Sequence, residues 1–151
     1  MLPPAVRFWD VTVTGSNARD LVVHRGPAVS PPDDERTGGW QFYLHPHQQD
    51  NLLAVSGGRH FVLINFAWKE PVQQVRLEAG GPILRIPPGT FHRSVSDPEG
   101  SAVLNQAVRS PATSVEREFR GYNSTRIPRL ADALRLRPVA ASAAAPWPFA
   151  G

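Results

Sequence analysis

At 151 residues the chain is long enough for one domain with a real core and too short to be read as two. Hydrophobic residues make up 41% and charged ones 19%, with a net charge of +3, the balance of an ordinary soluble globular protein. Absence of cysteine excludes disulfides and thiolate metal ligands, and no apolar run approaches the roughly 20 residues of a membrane span.

Sixteen prolines and twelve glycines break the chain into short segments and argue against long helices. The segment 7–13 reads as a strand, followed by a Gly15-Ser16-Asn17 turn and a second strand over 20–24. Residues 27–39 hold Pro27, Pro31, Pro32, Asp33, Asp34 and paired glycines, which predicts a loop. Trp40 to Leu44 predicts a buried strand running into His45. Residues 51–56, Gly57-Gly58 and 60–66 predict a hairpin with a Gly-Gly turn. Further short strands are expected near 72–77, 82–86, 91–96 and 102–108. Many short strands with Gly/Pro turns argue for an all-β barrel or sandwich. After Pro128 the run to Arg137 predicts one short helix with Leu130 and Leu134 on one face. Pro138 ends it, and an Ala-rich tail with Trp147 and Phe149 follows.

Arg109, Arg117, Arg120, Arg126, Arg129, Arg135 and Arg137 crowd the last third. They read as a solvated surface, because no nucleic-acid-binding motif accompanies them. No nucleic-acid or membrane partner is expected. The N-terminal segment lacks the apolar core of a signal peptide, so a cytoplasmic location is expected.

Three histidines carry the chemistry. In a strand, residues i and i+2 share a face, so His45 and His47 are expected to aim two imidazoles into one space. His92 follows the Pro87-Pro88-Gly89 turn, which returns the chain toward that space. Three neutral imidazoles make a site for a divalent transition metal: iron, manganese, nickel, copper or zinc. His24 and His60 read as structural. Phe42, Phe61, Phe66, Trp68 and Phe91 read as core. Trp40 is expected at the pocket mouth, with Gln49 and Arg85 toward a substrate, Arg85 through its planar fork. Arg93, next to His92, is expected on the opposite face.

The spacing resembles the cupin superfamily. Gly39 is followed by five residues, His45-Pro46-His47, three residues, Asn51, six residues and Gly58. Gly81 is followed by five residues, Pro87-Pro88-Gly89, two residues, His92, three residues and Ser96. These are the two cupin motifs in order, with Asn51 in place of the usual Glu and Ser96 in place of Asn. The resemblance implies an all-β, double-stranded β-helix (jelly-roll barrel) with a short C-terminal helix or arm. It places a cupin domain over 1–126, with motifs at 39–108, and a helix and Ala/Pro-rich tail over 127–151. It implies a homodimer acting on a small molecule, with metal held by His45, His47 and His92 beside Asn51, in a dioxygenase or isomerase.

The run from His45 to Gly57, with Pro87 to His92 and Val103-Leu104-Asn105, is also similar to cupins related to TDP-sugar 3,5-epimerases. That resemblance implies metal-free chemistry with His45 as base and Tyr43 as acid candidate. A non-catalytic ligand-binding cupin is the third reading.

Overall fold

The structure, a computed structural model, describes residues 5–6 and 8–135. Its strands are β1 (Ala18–His24), β2 (Val29–Ser30), β3 (Gln41–Leu44), β4 (Asp50–Ile64), β5 (Val72–Glu78), β6 (Leu84–Ile86), β7 (Phe91–Ala107) and β8 (Arg120–Asn123). Two helices, α1 (Val115–Glu118) and α2 (Pro128–Arg135), flank β8. All eight strands join one antiparallel sheet, whose central path runs β5-β4-β7-β3-β8. β1 and β2 add to β7, and β6 adds to β4.

The expected Gly-Gly hairpin is absent. β4 runs unbroken through Gly57 and Gly58, and the expected strands at 91–96 and 102–108 are one strand, β7. The two long strands pair along most of their length, with register shifts between Ala54 and Ser56 and between Gly57 and Arg59. Gly57 has φ +63°, and a Cβ there would strike the carbonyl oxygen of Gly100 on β7. The glycines therefore make a bulge and a close crossing of two backbones instead of a reversal. The expected strand at 7–13 is also absent over residues 8–13. That segment has no ladder; Val13 N–H donates instead to the side-chain oxygen of Gln106. The loop at 27–39 does form, but encloses the two-residue β2.

Alternation along β4 and β7 divides the core in two. Inside the fold lie Leu52, Ala54, Phe61, Leu63, Leu77, Ile86 and Val103. On the other side, Phe42, Val62 and Ile64 pack against Leu130 and Ala133 of α2. The helix begins at Pro128 as expected and is described to Arg135; the predicted C-terminal arm lies outside the described residues. No described helix is long and apolar enough to cross a membrane.

Candidate functional site

Inside the fold a cavity of about 720 Å³ is lined by residues from β1, β2, β3, β4 and β7 together with α1 and its flanks. Strand register sets its contents in three levels. At one end, Asp20 of β1 lies opposite Asn105 of β7, beside Asp50 of β4. In the middle, Val22 lies opposite Val103, with Leu52 and Phe61. At the far end, His24 lies opposite Ser101, and Arg59 opposite Ser96.

The first level holds the histidines. His45 is buried at the end of β3, with Nε2 3.2 Å from Asp50 Oδ2. Its Nδ1 lies 2.5 Å from the backbone oxygen of Glu118, so that nitrogen is the donor. His92 is buried on β7; its Nδ1 donates to Thr90 O (3.0 Å), and its Nε2 lies 3.8 Å from Asp50 Oδ2, beyond hydrogen-bond distance. The two imidazole centroids are 4.9 Å apart. Asp50 Oδ1 accepts from Gln48 Nε2 (2.5 Å) and Asn105 Nδ2 (2.9 Å), which fixes the carboxylate. Arg109 donates to Gln48 Oε1 (2.6 Å) and so braces this shell. Tyr43 lines the same cavity, its ring 6.4 Å from His45 and 6.0 Å from His92.

Environment drives the two imidazoles apart. Burial alone would lower the pKa of His45, but the hydrogen bond and charge of Asp50, with the Glu118 carbonyl, outweigh it and raise it. Burial also opposes ionisation of Asp50, yet His45 and then His92 and Asn105 hold its pKa below the ordinary carboxylate value. For His92, burial and then the neighbouring charge of His45 push the pKa down to about 4. The surroundings thus favour the charged form of His45, against a carboxylate, and the neutral form of His92 beside it.

His47 does not join them. Residues 45–48 form a bend, so the same-face rule for strands does not apply. The His47 side chain is 59% exposed, and its Nδ1 meets Glu118 Oε1 at 3.1 Å. Asn51 follows Asp50 on β4 and therefore faces the other way. Its amide donates to Gln106 O (2.8 Å) and accepts from Gln49 (3.1 Å). The carboxylate expected at Asn51 is supplied one residue earlier by Asp50. Gln49, Trp40 and Arg85 lie outside the cavity lining. Trp40 packs with Phe42 and under Arg93, whose guanidinium lies 4.4 Å from the ring centroid. Arg85 is exposed on β6, opposite Asn51. Arg93 faces away from His92, as expected, and pairs with Asp33 (2.5 Å).

Asp50, near the histidines in sequence, is expected only as a hydrogen-bond partner for them, and Arg59, Arg109 and Glu118 were not legible as site residues. Only strand alternation counted back from His92 through the β4–β7 register would have found Asp50 and Arg59. Glu118 comes from a one-turn helix with no sequence signature.

The His45, Asp50 and His92 ligand atoms lie within 4.8 Å of one another. Two imidazoles and one carboxylate suit a divalent transition metal. Both Nδ1–H groups are committed to backbone carbonyls, which turns both Nε2 atoms toward Asp50, the orientation second-shell bonds give to ligating histidines. The donor set therefore fits a metal, with Asp50 in place of His47 and Asn51.

No protein-family model and no curated protein matches the sequence. Among solved structures the chain is similar to an RmlC epimerase from Mycobacterium tuberculosis, with TM-score 0.52 and 15% identity, over 78% of this chain and 56% of that one. It is likewise similar to a 3'-monoepimerase from Streptomyces bikiniensis solved with dTDP, with TM-score 0.52 and 12% identity, over 76% of this chain and 55% of that one. The chain thus spans little more than half the length of these solved chains. With its single antiparallel sheet around the His/Asp/His cavity, the chain has an all-β jelly-roll fold similar to that of these RmlC-like epimerases.

Proposed function

We propose that this protein moves a proton at a carbon beside a carbonyl group, as an isomerase or epimerase, with nucleotide-linked keto sugars as the first substrate class. The observation that carries this reading is the pair of buried imidazoles 4.9 Å apart in one cavity, only one of them paired with Asp50, an environment that raises the pKa of His45 and lowers that of His92. Titratable neighbours pushed apart in pKa are the usual signature of an acid and a base. Both nitrogens of His45 are engaged, one by Asp50 and one by a carbonyl, which favours His45 as the acid. His92, with Nδ1 donating and Nε2 unprotonated, takes the role of base. The base accepts the C–H proton, the bonding pair passes into the enolate, and an acid on the cavity wall returns a proton. Tyr43 remains a second acid, supported by its ring lying beside both imidazoles, 6.4 Å from His45 and 6.0 Å from His92.

The test is solvent exchange. In D2O, dTDP-linked keto sugars and simple ketones should gain deuterium at the α-carbon. His92→Asn should slow this by about 10²- to 10⁴-fold, the range for loss of a positioned base. No exchange across either series would overturn the reading.

A metal-dependent dioxygenase or isomerase is the second reading, favoured by the orientation of both Nε2 atoms toward Asp50. His45, Asp50 and His92 would hold the ion, which would polarise a bound carbonyl as a Lewis acid. Elemental analysis of untagged protein decides between the two. About one metal per chain, lost in His92→Ala, selects the metal centre; none after reconstitution selects proton transfer alone.

A further inference from the structure

Arg59 is a cation that nothing in the proton-transfer reading uses. It sits on β4 at the far end of the cavity, 5% exposed, with its side chain in the cavity lining. Its Nε donates to Ser101 Oγ (2.7 Å) and its Nη2 to the backbone oxygen of Val22 (2.8 Å). A guanidinium has five N–H donors, so three are left for another partner. Among the described residues no carboxylate lies within ion-pair distance of it. The carboxylates of the cavity are taken: Asp50 by His45, and Asp20 by Arg109 at 3.6 Å. Arg59 is therefore the cavity's uncompensated charge.

A buried charge without a counter-ion is costly unless something pairs with it. The surroundings hold it in place. Ser101 Oγ lies 2.9 Å from Ser96 Oγ, which lies 2.6 Å from His24 Nδ1. This chain of hydroxyls and imidazole is neutral, so it orients Arg59 without neutralising it. Burial lowers the Arg59 pKa to about 10, which leaves it charged at neutral pH. The same burial, followed by the charge of Arg59, lowers that of His24 and keeps the imidazole uncharged beside it.

The cavity is polarised end to end. Arg59 lies opposite Ser96 and the His92 position opposite Leu63, so the two ends are four residues apart on β7, roughly 13 Å along the backbone. Between them the walls are mainly apolar, Val22, Leu52, Phe61 and Val103, with the paired Ser30 and Ser94 on one side.

We infer that Arg59 is an anion anchor, and that the ligand of this cavity carries an oxyanion head, carboxylate or phosphate, joined through a short, mainly apolar stretch to the group that meets His45 and His92. The inference rests on the reading of the cavity as a ligand site, and it narrows the substrate class to anion-headed carbonyl compounds. The planar fork suits both oxyanions through paired hydrogen bonds.

The test separates anchor from chemistry. Binding of straight-chain carboxylates of four to ten carbons, alkyl phosphates of the same length, and the matching amides is measured by calorimetry on wild-type protein. At least one anion series should bind ten-fold or more tighter than its amide isosteres, and whichever series does so identifies the head. Arg59→Gln should remove that preference, while Arg59→Lys, which keeps the charge but loses the fork, should keep part of it. Amides binding as tightly as both anion series, or no binding in any series, would overturn the anchor; the wild-type comparison alone decides this even where Arg59→Gln misfolds. α-Deuterium exchange of 4-oxopentanoate, read in the same samples, reports on His92 separately. Arg59-dependent binding without exchange would sink the proton-transfer reading and leave the anchor standing.

Discussion

Glu118 accepts the backbone N–H groups of His47 (3.1 Å) and Gln48 (3.2 Å) and meets His47 Nδ1, although it is buried at the end of a one-turn helix. Its own backbone oxygen receives Nδ1–H of His45. One residue therefore ties α1 to the bend that carries the site. Replacing its carboxylate by an amide weakens two backbone bonds near a buried bend, a loss of about 1–3 kcal/mol. Glu118→Gln should lower stability by that amount in chemical denaturation. The backbone bond to His45 survives the change, so α-proton exchange should fall far less than in His92→Asn. Exchange lost as fully as in His92→Asn would mean that the side chain of Glu118 acts in the chemistry itself.

Between β4 and β7 the glycines set the geometry. A Cβ on Gly57, at φ +63°, would strike the carbonyl oxygen of Gly100 on β7, and one on Gly100, at φ +88°, would strike the carbonyl oxygen of His24 on β1. Gly57→Ala combines a left-handed backbone, at about 1–2 kcal/mol, with a collision against a carbonyl that has no free space. The total should exceed 2 kcal/mol and lower the melting temperature; a change under 0.5 kcal/mol would show that the crossing opens easily. This element also marks the limit of what the sequence reveals. A Gly-Gly pair between two apolar runs has the pattern of a hairpin, and only the partner strand distinguishes turn from bulge. His92 was legible because the Pro-Pro-Gly turn fixes where β7 begins. His47 was misplaced because the Pro46 bend breaks the strand on which the same-face rule depends. Asp50 was legible as a hydrogen-bond partner of the histidines but not as the ligand-side carboxylate, because the motif spacing points to Asn51, whereas alternation on β4 turns the residue before it inward.

For the whole molecule, the opposed shifts of the two imidazoles predict a pH dependence of stability. His45 has a raised folded-state pKa, so its contribution is complete below the unfolded value of 6.5 and is lost as pH rises through the folded value. His92 is depressed to about 4, so it resists a proton that the unfolded chain accepts below 6.5. Stability therefore falls from pH 6.5 toward 4, by up to roughly 3 kcal/mol at 1.36 kcal/mol per pKa unit. Asp50 adds to this loss only at lower pH, because its depressed pKa keeps it ionised through this window. Chemical denaturation across pH 4–9 should show a maximum near 6.5, and the acid limb should flatten in His92→Asn. A flat profile in the wild type would contradict the assigned charge states.

The bulges in β4 also give the molecule a counting rule. Before them the even-numbered residues Asp50, Leu52 and Ala54 line the interior; after them the odd-numbered Arg59, Phe61 and Leu63 do. On β7 the facing set changes the same way, from His92, Ser94 and Ser96 to Ser101, Val103 and Asn105. Inner and outer surfaces are thus assigned by parity, and the stretch between Ala54 and Arg59 is where the parity is reset. Lengthening that stretch by one residue would exchange the linings, sending His60, Val62 and Ile64 inward and Arg59 out. Lengthening it by two would leave every residue on its own side. Among insertion variants at this point, those of even length should retain folding and those of odd length should lose it, a bias that a pooled stability selection would reveal.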